Sequence, residues 1–225
     1  MNIIPSVLYN GGNSPRVCDV FSRLLSDRAI MLGGPIDGDM SYSIVAQLLH
    51  LEAENPGADI QLYINSPGGS VTDALAIYDV MKCISSKVET ICIGQACSAA
   101  SLLLCSGDHR LMTENARILL HQPSGGLSGQ AIDIKRHADE INKIYDIICN
   151  IYLKHTTIPA KQIRYILDRD TIFRWGDKET LKYGLVDGVV PSRKITEAKD
   201  ANHNHNDEET SILDMSEEVG RKNNE

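Results

Sequence analysis

Two segments of this sequence have the residue types and spacing for nucleophilic chemistry. The stretch "GQACSAAS" (94–101) places Ser98 among small residues, directly after an apolar run that ends at Ile93. The stretch "NSPGGS" (65–70) supplies a Gly-Gly turn directly after Ile64. A serine at the start of a helix, with backbone N–H groups from a neighbouring glycine turn, can stabilise the oxyanion of an acyl-transfer reaction. Ser98 is therefore a candidate nucleophile.

A serine nucleophile needs a base, and His121 is the best placed of the seven histidines, because it ends the run "ARILL" directly before "QPSGG". Asp170 could orient its imidazole, since a carboxylate on the far ring nitrogen fixes the tautomer and stabilises the imidazolium. The residues alone leave other interpretations open. Ser98 can be a helix cap or a small packing residue, and His121 a partly buried strand end. Cys97 is an alternative nucleophile, although its side chain should point away from the face that Ser98 addresses.

The surrounding elements alternate between strand-like and helical patterns. Strands are predicted for "AIMLGG", "DIQLYINS", "VETICIG" and "ARILLHQP", and helices for "SYSIVAQLLHLEAEN", "VTDALAIYDVMKCI" and "SAASLLLCSG". This alternation predicts an α/β layered domain with largely parallel strand pairing. Ligands gather at the carboxyl ends of such strands, where Ser98 and the Gly-Gly turn are expected.

A long helix is predicted from about Gln130 to Thr156, with isoleucines at near-heptad spacing: Ile134, Ile141, Ile144, Ile148 and Ile151. It is too long to lie over one small sheet, so its far part is expected to pack on a partner chain. The next helix is expected in "TTIPAKQIRYILDRD", with Thr157 as its N-cap and Pro159 in its first turn.

Composition limits the class of protein. A chain of 225 residues with 42% apolar content can form one sizeable core. Residues 197–225 hold nine Asp or Glu against three Lys or Arg, so −6 of the net charge of −8 lies in this tail, which we expect to be disordered. The nearly neutral body argues against a nucleic-acid partner.

The cellular location is also constrained. Six scattered cysteines lack metal-ligand spacing and the density of a secreted disulfide scaffold, which indicates a reducing compartment. The start "MNIIPSVLYNGG" lacks the features of a signal peptide, and no apolar stretch approaches the roughly 18 residues of a membrane span. We expect a soluble cytoplasmic protein with no membrane partner.

Several blocks in combination carry a family resemblance: "SRLLSDRAIMLGGPIDGDM", "YINSPGGSVTDALAIYD", "GQACSAAS", "HQPSGGLSGQAIDI" and "YGLVD". They resemble ClpP, the proteolytic subunit of the ATP-dependent Clp protease (peptidase family S14 type). The resemblance implies repeated β-β-α units of the ClpP/crotonase-like type, which form a layered head domain with a long handle helix. It implies an N-terminal axial segment (1–18), a peptidase domain (19–194) with the handle at about 124–156, and the acidic tail (195–225).

The resemblance also implies a serine endopeptidase with a Ser-His-Asp triad. Ser98 matches the nucleophile, His121 the general base and Asp170 the residue that orients the base. Gly69 and Ala99 match the positions whose backbone N–H groups form the oxyanion hole.

Substrate contacts and assembly follow from the same resemblance. Gly125, Gly126 and Leu127 match a segment that pairs with an extended substrate by β-augmentation. Asp168 and Arg169 match a pair that couples ring contact to the triad. Two stacked seven-membered rings would enclose the active sites, and an AAA+ unfoldase would feed unfolded polypeptides into the chamber. That partner would use ATP, and no cofactor or metal is expected in this chain.

The sequence departs from the family pattern in ways that favour alternatives. The segment "TIFRWGDKETLKYG" after Asp170 is about two residues longer than usual, which could displace Asp170 from His121. Gln61 and Thr113 are polar where the family's unfoldase-docking pocket is often apolar, whereas Tyr63, Ile93 and Leu111 suit it. One alternative is therefore a catalytically impaired ring subunit. Another is an acyl-CoA enzyme of the related crotonase-like fold, against which the full triad argues.

Overall fold

A computed structural model of the chain describes residues 4–10 and 15–191. The first described elements are two antiparallel strands, β1 (Ser6–Asn10) and β2 (Pro15–Asp19), followed by helix α1 (Val20–Ser26). Asp19 caps this helix, because its side chain accepts hydrogen bonds from the N–H groups of the helix's second and third residues at 2.9 Å.

A larger sheet of seven strands forms the centre of the described chain. Its strands are β3 (Ala29–Gly33), β4 (Ile60–Ser66), β5 (Val88–Cys97), β6 (His109–Met112), β7 (Arg117–Leu120), β8 (Thr171–Arg174) and β9 (Gly188–Val189). The order is β3-β4-β5-β6-β9, and β7 pairs with both β5 and β8. All pairs are parallel except β7 with β8.

Strand β5 is ten residues long and pairs with two further strands besides β4. Its first half pairs with β6 and its last three residues pair with β7. The strand thereby brings the end of β7, which leads to His121, beside its own end, which leads to Ser98.

Helices cover the sheet as the apolar pattern predicts. They are α2 (Gly38–Glu54), α3 (Val71–Cys83), α4 (Ala99–Cys105), α5 (Ala131–His155), α6 (Ala160–Leu167) and α7 (Lys178–Lys182). Alternation in β4 buries Ile60, Leu62 and Ile64 completely, and every residue of α4 is buried. The α/β fold class with a mostly parallel sheet is confirmed.

Helix α5 packs on the core through one half only. It has 25 residues, about 37 Å at 1.5 Å per residue. Its buried residues all lie in the second half: Tyr145, Ile148, Cys149, Ile151 and Tyr152. In the first half Ile132 and Ile134 are 50% and 45% exposed. The long helix is therefore present, and its use as a handle between rings stays a prediction.

The predicted start of α6 is wrong. Pro159, expected inside the first turn, occupies the N-cap position, and the helix begins at Ala160. Thr157, the expected N-cap, instead donates its hydroxyl hydrogen bond to the Lys182 carbonyl at 2.6 Å. The hydroxyl thus ties the loop to the end of α7.

The predicted domain boundaries stay predictions. The acidic tail (195–225) lies outside the described residues, and the axial segment (1–18) is described only over 4–10 and from residue 15. Among the helices of the described chain, none combines the length and the apolar character needed to cross a membrane.

Candidate active site

Ser98 lies at a sharp turn between β5 and α4. Its φ and ψ are 58° and −128°, a left-handed conformation that a non-glycine residue rarely adopts. Its backbone N–H donates to the Leu119 carbonyl at 2.8 Å, which fixes the turn to β7. Within the described chain the Ser98 hydroxyl makes no capping bond to α4. Ser98 therefore occupies the N-cap position of α4 without capping the helix through its side chain.

Gly68 provides the space that this turn requires. It has φ +91°, and a Cβ atom there would lie 2.5 Å from the Cys97 carbonyl oxygen and 2.6 Å from Ser98 Cβ. Its N–H donates to the buried Ser66 hydroxyl at 3.0 Å. A nucleophile elbow usually has glycines two positions before and after the serine. Here Gly68, which lies on a neighbouring loop, allows the same close approach of another backbone segment to the serine.

The strand register places His121 beside both Ser98 and Asp170. Parallel pairing sets Cys97 opposite Leu119, so Ser98 and His121 follow the ends of adjacent strands β5 and β7. Antiparallel pairing sets Leu120 opposite Thr171, so His121 and Asp170 are the next facing positions of the β7–β8 pair.

The histidine and the aspartate approach each other closely. His121 Nδ1 lies 3.7 Å from Asp170 Oδ1, which is within ion-pair range and longer than a hydrogen bond. The Asp170 side chain is 72% exposed, so water screens its attraction for the ring. The extended segment after Asp170 forms β8, a turn and α7, so its extra length lies beyond the β7–β8 pairing. Asp170 and His121 are neighbours, at a distance longer than a hydrogen bond.

Ser98 and His121 face the same small cleft, together with Ala99. The other walls are the apolar or aromatic side chains of Val71, Ala74, Leu102, Pro123, Ile148 and Tyr152. A mostly apolar cleft with two polar groups at one end can take an apolar side chain beside a reactive hydroxyl.

Cys97 is a poor alternative nucleophile. Its side chain is buried, and burial raises the pKa of the Cys97 thiol, so the thiol stays protonated. Its Sγ lies 3.6 Å from Gln95 Oε1, on the side away from the cleft lining. The expectation that it points away from the Ser98 face agrees with this arrangement.

The Gly-Gly turn lies close to the start of α4. A Cβ at Gly68 would lie 3.2 Å from the Ala99 nitrogen, so the loop abuts the first N–H of the helix. At Gly69 the backbone approaches Ile36 so closely that a Cβ would collide with its carbonyl oxygen. The N–H of Ile36 donates to the Gly68 carbonyl at 2.9 Å, and Ser70 donates back to Ile36 at 2.8 Å. Neither of these two bonds uses the Gly69 N–H.

The substrate segment predicted from the resemblance lies outside the regular strands of the described chain. Gly125, Gly126 and Leu127 are exposed and run along α5, where a Cβ at Gly125 would lie 3.2 Å from Ile141 Cδ1 and 3.5 Å from His137 Nε2. Their role in substrate binding stays a prediction.

Sequence reasoning missed two residues that bear on the site. Gly68 belongs to the Gly-Gly turn described above, so that turn was the available signal for its role at the site. Tyr145, whose hydroxyl contacts Asp168, gave no signal, because the contact joins two helices that meet only in the folded chain.

Two residues of the expected docking pocket, Gln61 and Tyr63, lie on strand β4, and neighbouring strands add polar groups beside them. Gln61, Glu89 and His109 lie side by side on β4, β5 and β6. Gln61 Nε2 donates to Glu89 Oε2 at 3.1 Å, and His109 Nδ1 lies 2.6 Å from Glu89 Oε1. The next row is less polar, with Tyr63 opposite Ile91. No group of three or more His, Cys, Asp or Glu side chains in the described residues is placed to hold a metal ion.

The fold and this site define a class of protein, an α/β protein in which a serine and a histidine follow two neighbouring strands and an aspartate precedes a third. A model of the Clp protease family matches residues 11–193. The chain therefore belongs to the Clp protease family and has a ClpP-like peptidase fold. Membership implies a serine peptidase in general terms.

Proposed function

We propose that this chain is an active serine endopeptidase and the proteolytic subunit of a Clp-type assembly. The observation that supports the proposal is that Ser98 and His121 line one cleft, while Asp170 lies 3.7 Å from the far side of the His121 ring. Family membership supports it independently.

The roles follow from the geometry. Ser98 Oγ attacks the peptide carbonyl while His121 takes its proton, and His121 then gives that proton to the leaving amine. Asp170, 3.7 Å from Nδ1, orients the ring and stabilises its charged form. The backbone N–H groups of Gly69 and Ala99 receive the oxyanion. Catalytic contacts are often longer in unliganded structures and shorten with substrate, so 3.7 Å is compatible with activity.

Assembly extends the proposal. The exposed first half of α5 would pack against the opposite ring, and an AAA+ unfoldase would dock on the outer sheet face and thread unfolded polypeptides to the cleft. ATP would bind to that partner, and no cofactor would bind here. All six cysteines are unpaired, which supports a reducing compartment, the cytoplasm.

The alternative is a catalytically impaired ring subunit. The His121 to Asp170 distance favours it, because 3.7 Å exceeds a hydrogen bond.

Reaction with a fluorophosphonate separates the two functions, because only an activated serine reacts quickly. We expect intact mass to show one adduct per chain, mapped to Ser98, and no adduct in Ser98→Ala. Peptide hydrolysis should also fall as pH drops through roughly 6 to 7, where a histidine base gains a proton. A well-formed ring without labelling would support the impaired subunit, and an unchanged rate down to pH 5 would contradict the assigned base.

A further inference from the structure

The short turn that carries Asp170 is held on both sides by hydrogen bonds. On one side Thr171 Oγ1 donates to the Ile166 carbonyl at 2.8 Å. On the other side the N–H of Gln122, the residue after the candidate base, donates to the Leu167 carbonyl at 3.0 Å. The end of α6 is thereby tied to the same part of β7 that supports the histidine.

A further contact reaches this turn from α5. Tyr145 Oη donates to Asp168 Oδ1 at 2.7 Å, and the carboxylate makes this bond stronger than one between neutral groups. The Tyr145 side chain is buried, and Arg164 covers its ring with the guanidinium 4.7 Å from the ring centroid. Arg164 also pairs with Asp146, one residue further along α5. Burial, and then the bond to Asp168, raise the pKa of Tyr145, so the phenol remains a donor.

The turn needs these contacts because one of its residues, Asp170, has an unfavourable backbone conformation. Asp170 has φ 50°, a left-handed conformation that persists in a non-glycine residue only where the surroundings hold it. Its own side chain is largely exposed, so packing around that side chain does not fix it. The position of the carboxylate depends on the turn.

We propose that Tyr145 is a positioning residue for the triad, which acts through its hydrogen bond to Asp168 to hold Asp170 beside His121. This inference rests on the proposed function, because it assigns Tyr145 a role in peptide hydrolysis. Tyr145 does not line the cleft and does not touch the reacting atoms.

The test compares Tyr145→Phe, Asp168→Ala and the double variant on a short fluorogenic peptide, which needs no unfoldase. Tyr145→Phe keeps the buried ring and removes only the donor. We expect kcat to fall about tenfold with little change in KM, since a 1 Å misplacement can cost about a hundredfold. Asp168→Ala should lose about as much, and the double variant no more than either single variant. Asp168→Asn retains an acceptor oxygen and should restore most of the rate.

Tyr42→Phe is the matched control, because Tyr42 is an exposed tyrosine on α2, away from the site. It should keep the wild-type kcat. Melting temperatures of all variants show whether each remains folded at the assay temperature. Two results would overturn this inference but not the proposed function. One is a double variant in which the two losses of kcat multiply. The other is a kcat for Tyr145→Phe within twofold of that of an active wild type. A wild-type ring that neither hydrolyses peptide nor reacts with fluorophosphonate would overturn the proposed function itself.

Discussion

At the scale of the residue, Ser98 depends on the small size of its neighbours. Its left-handed backbone turns the hydroxyl toward the cleft, and Gly68 lies where any side chain would collide with Ser98 Cβ. Ala99, the next residue, lines the same cleft. The candidate nucleophile is therefore positioned by contacts that leave no room for a methyl group on the opposing loop.

Replacing Gly68 by alanine tests this dependence. The added methyl group would overlap the Cys97 carbonyl and Ser98 Cβ, and alanine is strained at φ +91°. We expect the free energy of unfolding to fall by about 2 to 4 kcal/mol. Fluorophosphonate labelling of the remaining folded protein should slow by at least about tenfold. Urea unfolding and labelling rates measure the two effects.

Gly38→Ala is the matched control, because a Cβ at Gly38 has no atom within 4 Å and the residue begins helix α2. Its stability should be unchanged or slightly higher. If Gly68→Ala behaved like this control, close packing at the elbow would not be what positions Ser98.

At the scale of the element, the sequence predicts best where apolar residues repeat. Strand β4 is predicted by its alternation of buried and less buried side chains, and β3 and β5 are predicted as short apolar runs. Strands β6 and β8 have four residues each and carry polar, partly exposed side chains, so their pattern gave no signal. They form because neighbouring strands supply hydrogen-bond partners, which is a property of tertiary structure.

Helix α5 is joined to α3 by a buried pair near its end. Tyr78 Oη and His155 Nε2 lie 3.0 Å apart, and the rings meet edge to face. Burial, followed by the positive charges of Lys82, Lys154 and Arg110, lowers the pKa of His155 to about 4, against an opposing effect of Asp108. The folded protein thus keeps this histidine neutral where the unfolded chain would protonate it.

This difference predicts acid sensitivity. The ordinary histidine value is 6.5 and the folded value about 4, so the unfolded chain binds more protons between these pH values. Stability should therefore fall as pH drops from 6.5 to 4. In His155→Gln we expect the free energy of unfolding to fall less over this pH range, by about 1 to 2 kcal/mol. This figure is reduced from the full effect of the pKa difference because His155 is partly exposed.

Urea unfolding at a series of pH values measures this slope. His50→Gln, an exposed histidine on α2, should retain the wild-type pH dependence. Equal slopes in His155→Gln and the wild type would show that protonation of His155 does not limit acid stability.

At the scale of the whole molecule, the first half of α5 should determine assembly. Ile132 and Ile134 in this half are exposed, although the second half of the helix is well packed. A charge at Ile134 would have to be buried in the proposed contact between rings, at a cost of several kcal/mol. Ile134→Glu should therefore shift the equilibrium from double rings to smaller particles by about a hundredfold or more.

Sedimentation velocity over a range of protein concentrations measures this shift. Ile147→Glu makes the same chemical change at an exposed isoleucine in the half of α5 that packs on its own core. It should leave the particle size unchanged. If Ile134→Glu also left the size unchanged, the helix would not form the contact between rings.

The candidate site shows what the sequence could and could not predict. Ser98 and His121 were identifiable because each follows an apolar run that reads as a strand. Asp170 could be named only as a candidate, because its distance to His121 depends on the register of β7 and β8, which are separated by fifty residues of the chain. The contact between Tyr145 and Asp168 depends in turn on how α5 meets α6.

The register of β7 and β8 also separates Asp170 from the longer segment that follows Arg174. Asp170 stands before the paired residues, and all length beyond Arg174 is taken up by a turn at Gly176 and by α7. Insertions or deletions in the turn at Gly176 would change the shape of the protein surface there. We expect them to leave Asp170 in place. We therefore expect this turn to accept a change in length without moving Asp170 relative to His121, which makes it a suitable site for a peptide tag.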